Sequence, residues 1–79
     1  MRVVRELVKE EIRVSIFSWN SKYILKYEWG PMEQTFKLSE TDILEESELE
    51  GFLSGEFFNQ VKVRFKEMGE SLLGKLENG

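Results

Sequence analysis

Apolar and polar side chains alternate with a period of two from residue 11 to residue 38. This period is typical of strands that bury one face, because successive side chains point to opposite sides of a sheet. Two turn-forming dipeptides, Asn20-Ser21 and Gly30-Pro31, interrupt the alternation. The pattern therefore predicts three strands joined as an antiparallel meander over residues 11–38.

The first of these turns predicts the register of the strands that it joins. A two-residue loop at Asn20-Ser21 places Ile16 opposite Leu25 and Val14 opposite Tyr27. The strongly apolar positions then share one face, whereas a shift by one residue would divide them between both faces. The agreement between turn and pattern favours this register.

The second turn predicts a longer loop, because proline is disfavoured at the second corner of the common type I turn. We expect a four-residue loop over residues 29–32, which keeps Leu25 opposite Phe36. The predicted core face then consists of Ile12, Val14, Ile16, Tyr23, Leu25, Tyr27, Phe36 and Leu38, with Trp29 and Met32 at its edge.

The second half of the chain changes to a helical period. Residues 47–50 have the form of a capping box, with Ser47 three residues before Glu50, and predict a short helix that ends near Leu53. Beyond it, apolar side chains recur every three or four positions, at Phe58, Val61, Phe65, Met68, Leu72 and Leu76. This spacing predicts one long amphipathic helix over residues 56–77.

Residues 1–10 have two interpretations, because their apolar side chains have helical spacing but include the β-branched valines that favour a strand. We prefer an extra strand to a helix or a tail for this segment. The sequence thus predicts an α+β fold, a three- or four-stranded antiparallel β-meander followed by a short helix and one long C-terminal amphipathic helix packed on one sheet face. We expect a single domain over residues 1–79, in which 39–55 form an acidic connection.

The composition narrows the chemistry, since the 79 residues include neither His nor Cys. Imidazole acid–base catalysis, thiol nucleophiles, disulfides and the usual zinc ligands are therefore absent. Neighbouring carboxylates, as at Glu10-Glu11 and Glu45-Glu46, point to different sides of any regular element. We expect a protein without enzymatic activity, cofactor or metal.

The charge distribution and hydropathy predict a soluble, cytoplasmic protein. No stretch approaches the roughly 20 apolar residues of a membrane span, and charges interrupt the N-terminus too often for a signal peptide. The net charge of −4 is concentrated in residues 40–50, where six side chains are acidic. Such a run usually solvates a loop.

The predicted outer face of the sheet, opposite the core, is the first candidate for function. It combines cations with an apolar cluster, and its candidate binding residues are Arg13, Phe17, Trp19, Lys22, Ile24, Lys26 and Lys37. Aromatic side chains interleaved with cations are typical of single-stranded nucleic-acid platforms. The same cluster also suits a protein contact, or a purely structural role beneath lysine stems or the N-terminal segment.

The end of the predicted C-terminal helix is the second candidate for function. Twenty-two residues span about 33 Å, whereas strands of eight residues span only about 27 Å. We therefore expect the last turns to extend past the sheet, where a second copy or another part of the same chain would cover them. The candidate self-association residues are Met68, Gly69, Leu72, Leu73 and Leu76.

Two resemblances accompany these patterns. The segments Ser18-Trp19-Asn20, Lys22-Tyr23-Ile24-Leu25-Lys26 and Glu33-Gln34-Thr35-Phe36-Lys37 resemble a small family of uncharacterised bacterial proteins, across residues 12–68. This resemblance implies no activity or site. A meander followed by one long helix is also similar in layout to the single-strand nucleic-acid binders of the Whirly and Pur-alpha kind, which dimerise.

The patterns together favour a small non-enzymatic protein-interaction module that forms a homodimer through its C-terminal helix. A further protein partner is compatible with the outer sheet face. The alternative is single-stranded nucleic-acid binding on that face, although the negative net charge opposes tight phosphate binding. No membrane partner is expected.

Overall fold

The computed structural model describes residues 1–78 and confirms the α+β fold. Four antiparallel strands form one open sheet in chain order: β1 (Arg2–Lys9), β2 (Ile12–Trp19), β3 (Lys22–Trp29) and β4 (Met32–Ser39). Two 3-10 helices follow, Glu40–Asp42 and Glu46–Phe52, and then the long helix α1 (Gly55–Asn78) packs on one face of the sheet.

Two-residue loops join all four strands. The predicted loop at Asn20-Ser21 is confirmed, with both residues at positive φ and Ile16 opposite Leu25. The four-residue loop predicted around Gly30-Pro31 is wrong, because Trp29 pairs directly with Met32. Gly30 takes a φ of 60° at the first corner, as a type II′ turn requires, and the second corner then accepts the negative φ of proline.

The extra strand that we preferred for the N-terminal segment is confirmed, as β1 (Arg2–Lys9). β1 pairs with β2, with Leu7 opposite Val14 on the core face. The register shifts between Val3 and Arg5, which is the mark of a β-bulge. Val3 is opposite Phe17, so the bulge brings a valine into line with the apolar positions of the outer face.

The core lies between the sheet and the elements that follow it. The buried apolar side chains come from β2, β3, the second 3-10 helix, the residue that follows it and α1: Ile12, Val14, Ile16, Tyr23, Leu25, Tyr27, Leu49, Leu53, Phe58, Val61 and Phe65. Phe36 and Leu38 are half-buried at its edge. Two polar groups lie within the core, where Tyr27 Oη donates to the Phe52 carbonyl at 2.7 Å and Gln34 Nε2 to the Val61 carbonyl at 3.0 Å.

The predicted capping box at Ser47 and Glu50 does not form. Glu45 caps the segment without a side-chain bond to the backbone, and Ser47 Oγ donates to a Glu45 carboxylate oxygen at 3.3 Å. The segment is a 3-10 helix, in which residues three apart lie on one side. This geometry directs Leu49 and Phe52 together towards the sheet, and Leu49 is fully buried.

Helix α1 extends past the sheet. Its 24 residues correspond to about 36 Å, and the longest dimension of the molecule is 46 Å. Phe65 is the last fully buried position, and Met68 and Gly69 are half-buried. The helix therefore crosses the sheet with its N-terminal two thirds and leaves it after Gly69.

Candidate interaction surfaces

The outer face of the sheet is open to solvent. Trp19 is 53% exposed, and Val3 and Val8 on β1 are 54% and 69% exposed. Phe17 and Ile24 are half-buried. β1 lies beside β2 in the sheet, so it extends this face and does not cover the cluster of Phe17, Trp19 and Ile24.

An apolar row crosses this face. Val3 lies opposite Phe17, Phe17 opposite Ile24, and Ile24 opposite Lys37. Trp19 is opposite Lys22 in the neighbouring row. Five of the seven predicted binding residues thus surround or form one patch, and Val3 is a member that the sequence pattern did not identify because it depends on the bulge.

Ion pairs neutralise much of the positive charge on the outer face. Arg13 hydrogen-bonds Glu6, which raises the pKa of the guanidinium. Lys26 Nζ lies 3.9 Å from a carboxylate oxygen of Glu28 and 3.9 Å from one of Glu33.

Two cations of the face, Lys22 and Lys37, form no ion pair within residues 1–78. The four cations, Arg13, Lys22, Lys26 and Lys37, stand against three carboxylates, Glu6, Glu28 and Glu33, which leaves a net charge of +1.

The free end of α1 is the second surface. Leu72, Leu73 and Leu76 are 41%, 58% and 70% exposed. Met68 packs against the core of its own chain, and a β-carbon at Gly69 would lie 3.7 Å from Cε of Met32. Of the five predicted self-association residues, the three leucines are thus available to a second copy.

The two opposite edges of the sheet, β1 and β4, are the third candidate surface, and the sequence pattern did not predict them. β1 and β4 each pair with one neighbour. β1 is bound to the second 3-10 helix by an Arg2–Glu46 hydrogen bond and by Arg5, whose Nε lies 3.5 Å from Glu50 Oε1. The hydrogen bond with Arg2 lowers the pKa of the Glu46 carboxyl. An edge becomes visible only when the strand order is known.

Residues 1–78 contain no cluster of three or more acidic side chains placed to hold a metal ion. A depression of about 290 Å³ on α1 is lined by Glu56, Asn59, Gln60, Val63 and Arg64. No helix within residues 1–78 has the length and hydropathy of a membrane span.

No family model, curated protein or solved structure matches the chain significantly. A proposal for function therefore rests on the three surfaces described above. The resemblance to a bacterial family across residues 12–68 therefore stays a prediction.

Proposed function

We propose that the protein is a small non-enzymatic interaction module that forms a homodimer through the free end of α1. The observation that carries this proposal is the apolar stripe of the helix, which continues beyond the sheet. Leu72 and Leu76 follow Phe65 and Met68 at spacings of three or four residues, so they extend the buried stripe into solvent.

A second copy is the simplest partner for this stripe. Two amphipathic helix ends related by a two-fold axis present the same leucines to each other, as in an antiparallel helix pair. The stripe is continuous with the core through Met68, so the paired ends would extend both cores.

The energetics favour a weak dimer. Complete burial of a leucine contributes about 1.5–3 kcal/mol, and each of the three is already partly covered. Association costs an estimated 4–15 kcal/mol in lost translational and rotational freedom. Six partly exposed leucines from two copies therefore offset this cost with at most a few kcal/mol to spare, and we expect a dissociation constant of about 0.1–1 mM.

Sedimentation equilibrium from about 10 μM to about 1 mM tests the proposal across this range. We expect the average mass to rise with concentration towards that of two chains. The double variant Leu72→Glu/Leu76→Glu should weaken association at least tenfold, by about 1.4 kcal/mol or more. Leu44→Glu is the matched control, because Leu44 is 89% exposed and lies outside the helix.

Two results would count against the helix contact. One is a monomer mass for the wild-type chain throughout the concentration range. The other is an unchanged association constant in the double variant, with far-ultraviolet circular dichroism showing that its helix is intact.

A second candidate function is the binding of single-stranded nucleic acid on the outer sheet face. It is favoured by the exposed Trp19 ring opposite Lys22, and by Lys37 two strands away; these two cations of the face form no ion pair within residues 1–78. Bases stack on exposed aromatic rings, and lysines contact phosphates. The net charge of +1 on the face makes this binding weak and dependent on salt.

Tryptophan fluorescence on titration with mixed oligonucleotides at low salt tests this second candidate. Binding predicts quenching that disappears in Trp19→Phe and weakens in Lys22→Glu/Lys37→Glu. A titration with no change in the wild-type protein would exclude the nucleic-acid function. Lys62→Glu serves as the charge control, because Lys62 is on the helix and pairs with Glu10.

A further inference from the structure

The outer edge of β4 carries free main-chain hydrogen-bonding groups. Met32 closes the β3–β4 hairpin opposite Trp29 across a two-residue loop, and the closing pair of such a hairpin is hydrogen-bonded. Main-chain groups alternate along a strand, so the N–H and C=O groups of Glu33, Thr35 and Lys37 point away from β3. These groups have no partner strand within residues 1–78.

The two edges of the sheet differ in their suitability for pairing. β1 contains the bulge between Val3 and Arg5, and bulges commonly protect an edge against further strand addition. β4 has eight residues in continuous register with β3 and no bulge. β4 is therefore the regular edge of the molecule.

The geometry points to antiparallel pairing of β4 with β4 of a second copy, with the two-fold axis at Thr35. In this register residue i lies opposite residue 70 − i. Glu33 then lies opposite Lys37 of the other copy, and Thr35 opposite Thr35. Roughly six main-chain hydrogen bonds join the copies, since each pair of outward-pointing residues exchanges two.

The side chains of β4 are complementary to themselves in this register. On the outer face the pair Glu33 and Lys37 occurs twice, and opposite charges across strands are stabilising. Lys37 has no ion pair within residues 1–78, so the contact supplies one. On the core face Met32 lies opposite Leu38, and both are half-buried in the single chain.

Neighbouring registers lack this complementarity. An odd shift would oppose core-face and outer-face side chains, which the alternation of a strand forbids. A shift of two residues in either direction places Lys37 opposite Thr35 or Pro31 and removes both charge pairs. The register centred on Thr35 therefore keeps both the charge pairs and the apolar pairs.

This edge contact is separate from the helix contact proposed above, and the two are tested independently. The experiment is done in the Leu72→Glu/Leu76→Glu chain, in which the helix contact is removed. Any dimer that remains at about 1 mM then reports on another surface. Sedimentation equilibrium gives its dissociation constant.

Charge reversal identifies the register. Lys37→Glu places two glutamates opposite each other at both ends of the contact, and Glu33→Lys does the same with two lysines. Each single variant should raise the dissociation constant about tenfold or more. The double variant Glu33→Lys/Lys37→Glu restores opposite charges and should restore the dimer. Lys22→Glu is the matched control, since Lys22 is an exposed, unpaired lysine on the internal strand β3.

Amide hydrogen exchange provides a direct readout of the edge. In the dimer the Thr35 and Lys37 amides should be protected, with protection that falls on dilution. The Gln34 and Phe36 amides, which bond to β3, should be protected at every concentration. Rapid exchange at Thr35 and Lys37 at about 1 mM, or a double variant that fails to recover association, would overturn the inference.

Discussion

Two turns hold side chains at positive φ, and the turn between β1 and β2 holds two glutamates there. Glu10 and Glu11 adopt φ angles of 51° and 69°, in the left-handed region that disfavours side chains other than Gly, Asn and Asp. Glu10 Oε2 lies 3.2 Å from Lys62 Nζ, and this ion pair joins the turn to α1. Glu11 has no ion pair within residues 1–78.

Glu11→Gly should therefore stabilise the protein. A type I′ hairpin prefers glycine at its second corner, and relief of the left-handed strain is worth about 1 kcal/mol. Urea unfolding followed by circular dichroism measures the change. Glu45→Gly is the control, because Glu45 has an extended φ of −138° and glycine there relieves no left-handed strain. A loss of stability in Glu11→Gly would contradict the strain argument.

Tyr27 predicts how stability changes in alkaline solution. Burial raises the pKa of its hydroxyl from 10.0 to about 12, so the unfolded chain releases this proton at lower pH than the folded chain does. The contribution of Tyr27 to folding is complete below pH 10 and is lost as the pH rises from 10 to about 12.

Tyr27→Phe isolates this effect. Below pH 10 the variant should be less stable by about 1 kcal/mol, because it lacks the hydrogen bond to Phe52. The difference should shrink, and then reverse, as the pH approaches the value of about 12 at which folded Tyr27 ionises. Urea titrations of both proteins at matched pH values measure it, and a constant difference would show that Tyr27 ionises equally in both states.

At the scale of elements, local patterns predicted the β2–β3 hairpin completely. The alternation and the Asn20-Ser21 turn were sufficient, because side chains on one buried face determine both register and orientation. The long helix was predicted to within one residue at each end, as Gly55–Asn78 instead of residues 56–77. Its stripe is long enough to show the helical period clearly.

Features that depend on distant contacts were not predictable in the same way. The bulge in β1 arises from pairing with β2, and nothing within residues 2–9 indicates it. Ser47 and Glu50 matched a capping box, but packing of the short segment on the sheet selected a 3-10 helix. The alternation placed the four cations on the outer face, whereas the pairing of Arg13 with Glu6 required the position of β1.

Two glycines of α1 should respond differently to substitution by alanine, which favours a helix by about 1 kcal/mol relative to glycine. Gly69→Ala places its methyl group at ordinary contact distance from Met32, 3.7 Å away, within the packed part of the helix. We expect it to raise the free energy of unfolding. Gly74 lies beyond the sheet, so Gly74→Ala should raise helix content with little change in the urea midpoint. Equal midpoint shifts would show that both turns unfold with the core.

At the scale of the whole molecule, the structure separates a packed body from a helical extension. A chain that ends at Glu70 retains every buried side chain of the core. Its unfolding free energy should match that of the full chain to within about 1 kcal/mol. A larger loss, measured in urea, would mean that the leucines of the extension pack on the body.

The two proposed self-contacts also have a joint consequence for assembly. Each is a two-fold contact, and two such contacts on one chain produce tetramers if the axes meet and open chains if they do not. The Glu70-terminated chain retains only the edge contact, so its association should stop at two copies. Growth beyond a dimer would contradict this division of surfaces.

The order of the strands also has a consequence for folding kinetics. Each strand pairs with its neighbours in the chain across a loop of two residues. Hairpins of this kind form in roughly 1–10 μs, and proteins rich in local contacts fold in microseconds to milliseconds. We therefore expect the sheet to assemble hairpin by hairpin on this timescale, with α1 docking onto a surface that is already formed.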